Sequence, residues 1–142
     1  MPDEVARLLK TVPEWFGDAT SNAEYINDAR TKETWVVRNN DGTIIAIALI
    51  TQHFPETMEI HFMVVDRKYH GHGVGTSQIN AIAAEAKSRG AKLLEVKTLG
   101  DSHPDSNYAR TRHFYEKLGF LPLEETDLWG KDTPCLIMVK PI

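Results

Sequence analysis

The spacing of apolar and polar positions divides the chain into short helices and strands. Near the N-terminus, apolar residues recur three and four positions apart, which is the spacing of one helix face, and Pro13 closes the run. These residues are Val5, Leu8, Leu9 and Val12. A second helix is expected to carry Tyr25 on its apolar side, with Ser21 or Asn22 as the N-cap.

The middle of the chain has the alternation and turn chemistry of β-structure. Residues 34–37 and 43–51 flank an Asn-Asn-Asp-Gly loop at 39–42, whose residues tolerate positive φ, and this predicts a β-hairpin. The uninterrupted apolar run at 44–50 indicates a central strand covered on both faces.

The second half of the chain alternates between strands and helices. Asp105 is expected to cap the last helix, and Gly90 and Gly119 are expected to end the last two helices. The predicted strands lie at residues 57–66, 92–99, 120–125 and 135–139. The order α-α-β-β-β-α-β-α-β-β predicts the α/β (α+β) class, a mixed central sheet flanked by helices.

Length and composition fit one globular domain over residues 1–142. Hydrophobic residues make up 42% and charged residues 25%, which is typical of globular proteins. No apolar run approaches the roughly 18 residues that span a bilayer, and the N-terminus lacks the pattern of a secretory signal. The only cysteine, Cys135, cannot form an intramolecular disulfide, so a cytoplasmic location is expected. A formal charge of −4 argues against a nucleic-acid partner.

The most informative stretch is a glycine-rich loop between a predicted strand and a predicted helix. Glycines at alternate positions let a backbone approach a bulky anion closely, and a helix N-terminus directs unpaired N–H groups towards it. The residues of this loop are His70, Gly71, His72, Gly73, Val74, Gly75 and Thr76. The sequence therefore predicts a phosphate-binding loop.

Three other interpretations of the loop are less consistent with its residues. A P-loop needs a lysine before its Ser or Thr, and Gly75-Thr76 lacks one. A dinucleotide fingerprint needs a third glycine where Thr76 stands, although Glu95 lies at about the right distance for its acidic residue. A tight turn in which the glycines only pack would not require three of them.

The chain resembles the GNAT acyltransferase superfamily from about residue 34 to residue 139. The family's pyrophosphate motif is commonly Arg or Gln, two residues, Gly, one residue, then Gly or Ala; this frame falls on His70, Gly73 and Gly75. His70 therefore departs from the usual Arg or Gln. About forty residues later, the stretch at 114–120 (Phe-Tyr-Glu-Lys-Leu-Gly-Phe) is close to the family's helix-to-strand junction.

The resemblance implies a set of catalytic residues. Tyr115 falls on the family's frequent catalytic tyrosine, which would protonate the departing coenzyme A thiolate; a core aromatic is the alternative interpretation. The attacking ammonium must lose a proton. Glu59 is the first candidate for the base and His61 the second, since both lie on one face of the same predicted strand. A cross-strand polar pair is the alternative interpretation of these two residues.

The resemblance also implies the rest of the cofactor site. Backbone groups of Met63, Val64 and Val65 would pair with the pantetheine arm, and one N–H there would stabilise the oxyanion. Tyr108 stands where the family often has an asparagine that contacts the cofactor. His70 and His72 are the closest histidine pair, but no zinc-type ligand spacing accompanies them, so no metal is expected.

The resulting hypothesis is an acetyl-CoA-dependent N-acetyltransferase that transfers the acetyl group directly to a primary amine in a ternary complex. The acceptor is a small molecule or a protein, and a homodimer is left open. No nucleic-acid or membrane partner is expected. The alternative is a non-catalytic acyl-CoA-binding or sensing domain that keeps the phosphate loop.

Overall fold

The computed structural model describes all 142 residues, and its elements follow the predicted order. The helices are α1 (Pro2–Leu9), α2 (Ala19–Asp28), α3 (Val74–Ser88) and α4 (Ser106–Lys117). The strands are β1 (Glu33–Arg38), β2 (Ile44–Phe54), β3 (Thr57–Val65), β4 (Leu93–Leu99), β5 (Leu121–Thr126) and β6 (Cys135–Pro141). They form one six-stranded sheet in the order β1-β2-β3-β4-β6-β5, which confirms the predicted fold class.

The chain divides into two compact units. The first comprises Met1–Thr51 and Ile60–Glu85, and the second comprises Gln52–Glu59 and Ala86–Ile142. Strand β3 and helix α3 therefore each contribute residues to both units. No helix is long and apolar enough to cross a membrane.

The core of the first unit forms where the apolar face of α1 meets strand β2. Val5 and Leu8 are fully buried and belong to one cluster with Ile47. Every β2 residue from 44 to 50 is buried, which confirms the prediction of a strand covered on both faces. Val12 lies beyond the end of α1 but is buried in the same cluster, because a tight turn continues the chain in the helix direction.

The second unit is built on the antiparallel pairs β4–β6 and β5–β6. Along β4–β6, Glu95 lies opposite Val139, Lys97 opposite Ile137 and Leu99 opposite Cys135. Because side chains alternate along a strand and paired positions share a face, these six residues lie on one face of the sheet. The buried residues Leu94, Val96 and Met138 occupy the opposite face.

Two helix caps test the predicted helix starts. Asp105 caps α4 as predicted, because its side chain accepts hydrogen bonds from the N–H groups of Asn107 and Tyr108. The prediction of Ser21 or Asn22 as the cap of α2 is wrong. Asp18 caps that helix three residues earlier, and it also accepts a 2.6 Å hydrogen bond from the Ser21 hydroxyl.

Replacing Asp105 by Ala should lower the free energy of unfolding by about 1 kcal/mol, because two N–H groups at the start of α4 lose their acceptor. Urea titration followed by circular dichroism measures the difference. Asp101→Ala, at an exposed position before the helix, is the matched control and should change the stability by less than about 0.5 kcal/mol. Equal losses in the two variants would contradict the capping role.

Candidate active site

The glycine-rich loop belongs to the first unit and leads into helix α3. Gly71 and Gly73 have φ values of +80° and +78°, which residues with a Cβ adopt at a cost. A Cβ at either position would meet no atom within 4 Å, so the backbone conformation rather than the available space requires glycine there. Gly75 differs: it lies inside α3 and its φ is not positive.

The start of α3 offers unpaired backbone donors. The N–H of Ser77 donates to the carbonyl of Gly73 over 3.0 Å, so the N–H groups of Val74, Gly75 and Thr76 precede the helix's own hydrogen-bond ladder. They lie at the positive end of the helix dipole. This geometry matches an anion site of the kind that binds phosphates.

The side chain of His70 is engaged within the first unit. Its Nε2 lies 2.9 Å from the carbonyl oxygen of Val65. Because a carbonyl only accepts, we assign the proton to Nε2. The ring also contacts the edge of Trp15, with centroids 5.6 Å apart. The nearby ring of His72 contacts Tyr69. The backbone of the loop, rather than His70 Nε2, is therefore the part that can receive an anion.

The end of strand β3 leads directly into this loop. Val64 is buried in the core of the first unit, while Met63 and Val65 are half-buried. Since side chains alternate, Met63 and Val65 lie on the face opposite Val64. The carbonyl of Val65 is already occupied by His70.

A cluster of four polar side chains lies in the second unit. Lys97 Nζ lies 2.8 Å from Glu59 Oε2 and 3.1 Å from Glu95 Oε2. His53 Nε2 lies 2.6 Å from Glu59 Oε1 and 3.9 Å from Glu95 Oε1. His53, Glu59 and Glu95 each have one atom that could bind a metal ion, and these atoms lie within 4.8 Å of one another. The Lys97 ammonium already provides a positive charge beside both carboxylates. We call these four residues the charged cluster.

The charged cluster holds Glu59 as an anion. Burial acts to raise the pKa of Glu59, but the hydrogen bonds and charges of Lys97 and His53 outweigh it, so the pKa of this carboxyl lies below its ordinary value. Burial acts to lower the pKa of Lys97, and the two carboxylates outweigh it, so the pKa of the ammonium is raised. Both partners remain charged near neutral pH.

The two predicted base candidates belong to separate clusters. His61 lies in the first unit, where its Nε2 is 2.8 Å from Asp28 Oδ2 and its ring contacts the edge of Tyr25. Glu59 belongs to the charged cluster of the second unit. Glu59 has its partners on the strands β2 and β4, as the cross-strand alternative predicts, whereas the partner of His61 lies on helix α2.

His53 was not singled out from the sequence, although it is the exposed member of the charged cluster. Strand β2 was predicted to end at Thr51 but extends to Phe54. Pro55 lies in the short turn between β2 and β3, and such a hairpin brings the end of one strand beside the start of the next. This proximity to Glu59 was the available signal.

Tyr115 lies on α4 in the second unit and is half-buried. Its ring contacts those of Phe114 and Phe120, each with centroids 5.4 Å apart. These contacts fix the ring, as expected both for a core aromatic and for a positioned phenol. Tyr108 lies in the first turn of the same helix, and its N–H is capped by Asp105.

A cavity of about 400 Å³ opens between two loops of the second unit. Its charged walls contain three carboxylates against one ammonium, contributed by Glu125, Asp127, Asp132 and Lys131. The Ser102 hydroxyl donates to Glu125 Oε1 over 2.5 Å. His103 also lines the cavity, and its buried Nδ1 has no hydrogen-bond partner. The cavity is therefore suited to a positively charged ligand that donates hydrogen bonds.

The cavity and the charged cluster share one face of the sheet. Thr126 lines the cavity and pairs with Cys135, which in turn pairs with Leu99 on the face that carries Lys97. Burial raises the pKa of the Cys135 thiol, which the charges of Lys97 and Glu59 also influence. Both features therefore belong to the second unit and lie on the same face of its strands.

The chain belongs to the acetyltransferase (GNAT) family, whose model matches residues 3–120. This confirms the resemblance inferred from the sequence. No curated protein matches the chain.

Solved structures extend the comparison. An aminoglycoside 6'-acetyltransferase type Ii is 26% identical, with a TM-score of 0.73 over 99% of this chain and 88% of that one. A GNAT family acetyltransferase from Elizabethkingia anophelis, which has acetyl-CoA bound, is 19% identical, with a TM-score of 0.71 over 95% and 88% of the two chains. A nourseothricin acetyltransferase is 24% identical, with a TM-score of 0.65. The match covers 76% of this chain and 64% of the nourseothricin acetyltransferase chain.

Lys97→Met should lower the free energy of unfolding by about 2–3 kcal/mol near neutral pH, because Glu59 is left buried without its strongest partner. Glu59 has a lowered pKa, so its stabilising contribution is complete above its unfolded-state pKa and disappears as the pH falls through its folded-state pKa. The difference between the variant and the wild type should therefore shrink on the acid side of that transition. Denaturant titrations at several pH values measure it.

The matched control for Lys97→Met is Lys117→Met, at an exposed position of α4. It should change the stability little at any pH. Adding Glu59→Gln to Lys97→Met should restore part of the loss, since no buried charge remains unpaired. A pH-independent loss that Glu59→Gln does not reduce would contradict the ion pair as its cause.

Proposed function

We propose that this protein transfers the acetyl group of acetyl-CoA to a primary amine on a small cationic acceptor. The observation that carries the proposal is the loop at Gly71 and Gly73, whose positive φ values lead the backbone into the open N-terminus of α3 in a chain of the GNAT family. The donor follows from the family and from the relative with acetyl-CoA bound. The N–H groups of Val74, Gly75 and Thr76 would hold the pyrophosphate.

Direct transfer in a ternary complex is favoured over an acyl-enzyme. A covalent mechanism would need a nucleophilic thiolate, and Cys135 is the only cysteine. It is fully buried, and burial raises the pKa of its thiol. Both properties oppose attack on a thioester. A free, buried cysteine also agrees with a cytoplasmic location, which is part of this proposal.

Tyr115 is the proposed proton donor. When the amine attacks the thioester carbonyl, the tetrahedral intermediate expels the thiolate of coenzyme A, and a phenol can protonate this leaving group. The packing of the Tyr115 ring between Phe114 and Phe120 supports this role, since a general acid must be held in place before the reaction.

The proposed acceptor is cationic because of the acidic cavity in the second unit. Three carboxylates against one ammonium favour a ligand with several positive charges. One structural relative is an aminoglycoside acetyltransferase, and aminoglycosides have this character. The cavity's volume of about 400 Å³ lies within the usual range for small-molecule sites.

Incubation of the protein with acetyl-CoA and a panel of acceptors should release free thiol. Polyamines and aminoglycosides should react faster than monoamines, and faster than neutral primary alcohols. Tyr115→Phe should lower kcat by about a hundredfold without raising the KM for acetyl-CoA. The control is Tyr25→Phe, which removes the same hydroxyl from a ring stacked on Phe62 in the first unit. Acetyl-CoA binding without thiol release for any amine would instead support the acyl-CoA-binding alternative.

Gly73→Ala should raise the Kd for acetyl-CoA by about tenfold, because a Cβ at φ +78° distorts the loop that presents the helix N–H groups. Isothermal titration calorimetry measures this change. Gly42→Ala is the matched control, since Gly42 has φ +83° with equal space for a Cβ but lies in the β1–β2 hairpin. Gly42→Ala should strain the backbone to a similar extent but leave the Kd for acetyl-CoA unchanged. Equal increases of the Kd in the two variants would contradict a role of Gly73 in phosphate binding.

A further inference from the structure

The proposed transfer requires an acceptor for the proton of the substrate ammonium, and the structure points to a residue other than the predicted ones. Only the neutral amine has the lone pair that attacks the thioester, so a base must take one proton. The inference below rests on the proposed function and concerns the identity of that base.

Glu59 is poorly placed to be the base. Its side chain is only 5% exposed, and each oxygen already accepts a hydrogen bond, Oε1 from His53 and Oε2 from Lys97. A carboxylate stabilised as an anion in this way has a weaker tendency to accept a proton. His61, the second candidate, is bound to Asp28 in the first unit.

His53 has the properties that Glu59 lacks. Its side chain is 40% exposed, and imidazole is the side chain best suited to exchange protons near neutral pH. Because Glu59 is held as an anion and can only accept, Nε2 of His53 carries the proton of that hydrogen bond. Nδ1 is then the nitrogen with a free lone pair.

We propose that His53 is the proton acceptor of the reaction and that Glu59 is its positioning residue. The N–H bond of the substrate ammonium breaks, its electron pair stays on the amine nitrogen, and the proton forms a bond to Nδ1 of His53. The neutral amine then attacks the acetyl carbonyl. The imidazolium returns its proton to solvent through its exposed side, so the base is regenerated.

The charges of the cluster favour this step. Glu59 and Glu95 contribute two negative charges and Lys97 one positive charge, so the cluster carries a net charge of −1 while His53 is neutral. Protonation of His53 brings the net charge to zero. The proton therefore moves towards a group of side chains with a net negative charge. The carboxylate also fixes the ring orientation, as in other carboxylate–histidine pairs.

The position of the cluster agrees with the proposed acceptor cavity. Lys97 lies on the sheet face that continues through Leu99 and Cys135 to Thr126, which lines the cavity. A cationic acceptor held there is on the face that carries the base. The negative cluster would also attract its ammonium group.

The test is His53→Gln, which keeps a donor towards Glu59 but cannot accept a proton. The kcat with the best amine should fall by about a hundredfold, with the KM for acetyl-CoA unchanged and the acid limb of the pH–rate profile lost. His113→Gln, at an exposed position of α4, should keep the wild-type profile. Imidazole added to His53→Ala should restore part of the rate.

Glu59→Gln separates positioning from proton transfer. It should lower kcat but leave an acid limb, because His53 remains as the proton acceptor. If His53→Gln kept the wild-type rate and acid limb while Glu59→Gln lost both, Glu59 would be the base and the proposal would be overturned.

A measurement without turnover distinguishes this proposal from the proposed function. Two-bond ¹H–¹⁵N NMR spectra should show neutral His53 protonated at Nε2, and protonation at Nδ1 would overturn the proposal. An enzyme that acetylates no amine but shows the Nε2 tautomer would instead contradict the proposed function.

Discussion

A buried carboxylate must have its charge matched, and Glu59 imposes this requirement on the second unit. Removing an ion from water costs several kcal/mol unless partners compensate. Lys97 and His53 supply them from strands β4 and β2. The ammonium keeps the carboxylate anionic, and the carboxylate in turn fixes the imidazole. One electrostatic constraint therefore brings Lys97 and His53 to the same carboxylate and keeps Glu59 and Lys97 charged.

In the first unit, the main electrostatic feature is the partial positive charge at the start of α3. There the partial positive charge comes from backbone N–H groups, which need no side chain but require an unusual path before the helix. Gly71 and Gly73 provide that path through positive φ. In the proposed function, the helix end of the first unit would bind the anionic donor, and the carboxylates of the cavity in the second unit would bind the cationic acceptor.

The apolar pattern and the turn residues predicted the four α-helices and the six strands, but not the short 3-10 helix Arg67–Tyr69, which carries no buried residue. Boundaries were less accurate where polar residues continue an element. Strand β2 extends to Phe54 rather than Thr51, since backbone hydrogen bonding continues where the apolar pattern stops. Similarly, Asp18 rather than Ser21 caps α2, because several neighbouring residues could serve and only the backbone path selects one.

The sequence by itself determined the order of the elements, the glycine loop and the family, since these depend on periodicity and on motifs within short stretches. It also identified Glu59, a carboxylate in a predicted strand, as the first candidate for the base. Only the tertiary structure decided what surrounds that charge. His53 comes from β2, and Glu95 and Lys97 come from β4; they lie near Glu59 only once the sheet has formed. Burial and pairing are properties of that assembly, and they make Glu59, the expected base, a carboxylate whose two oxygens both accept hydrogen bonds.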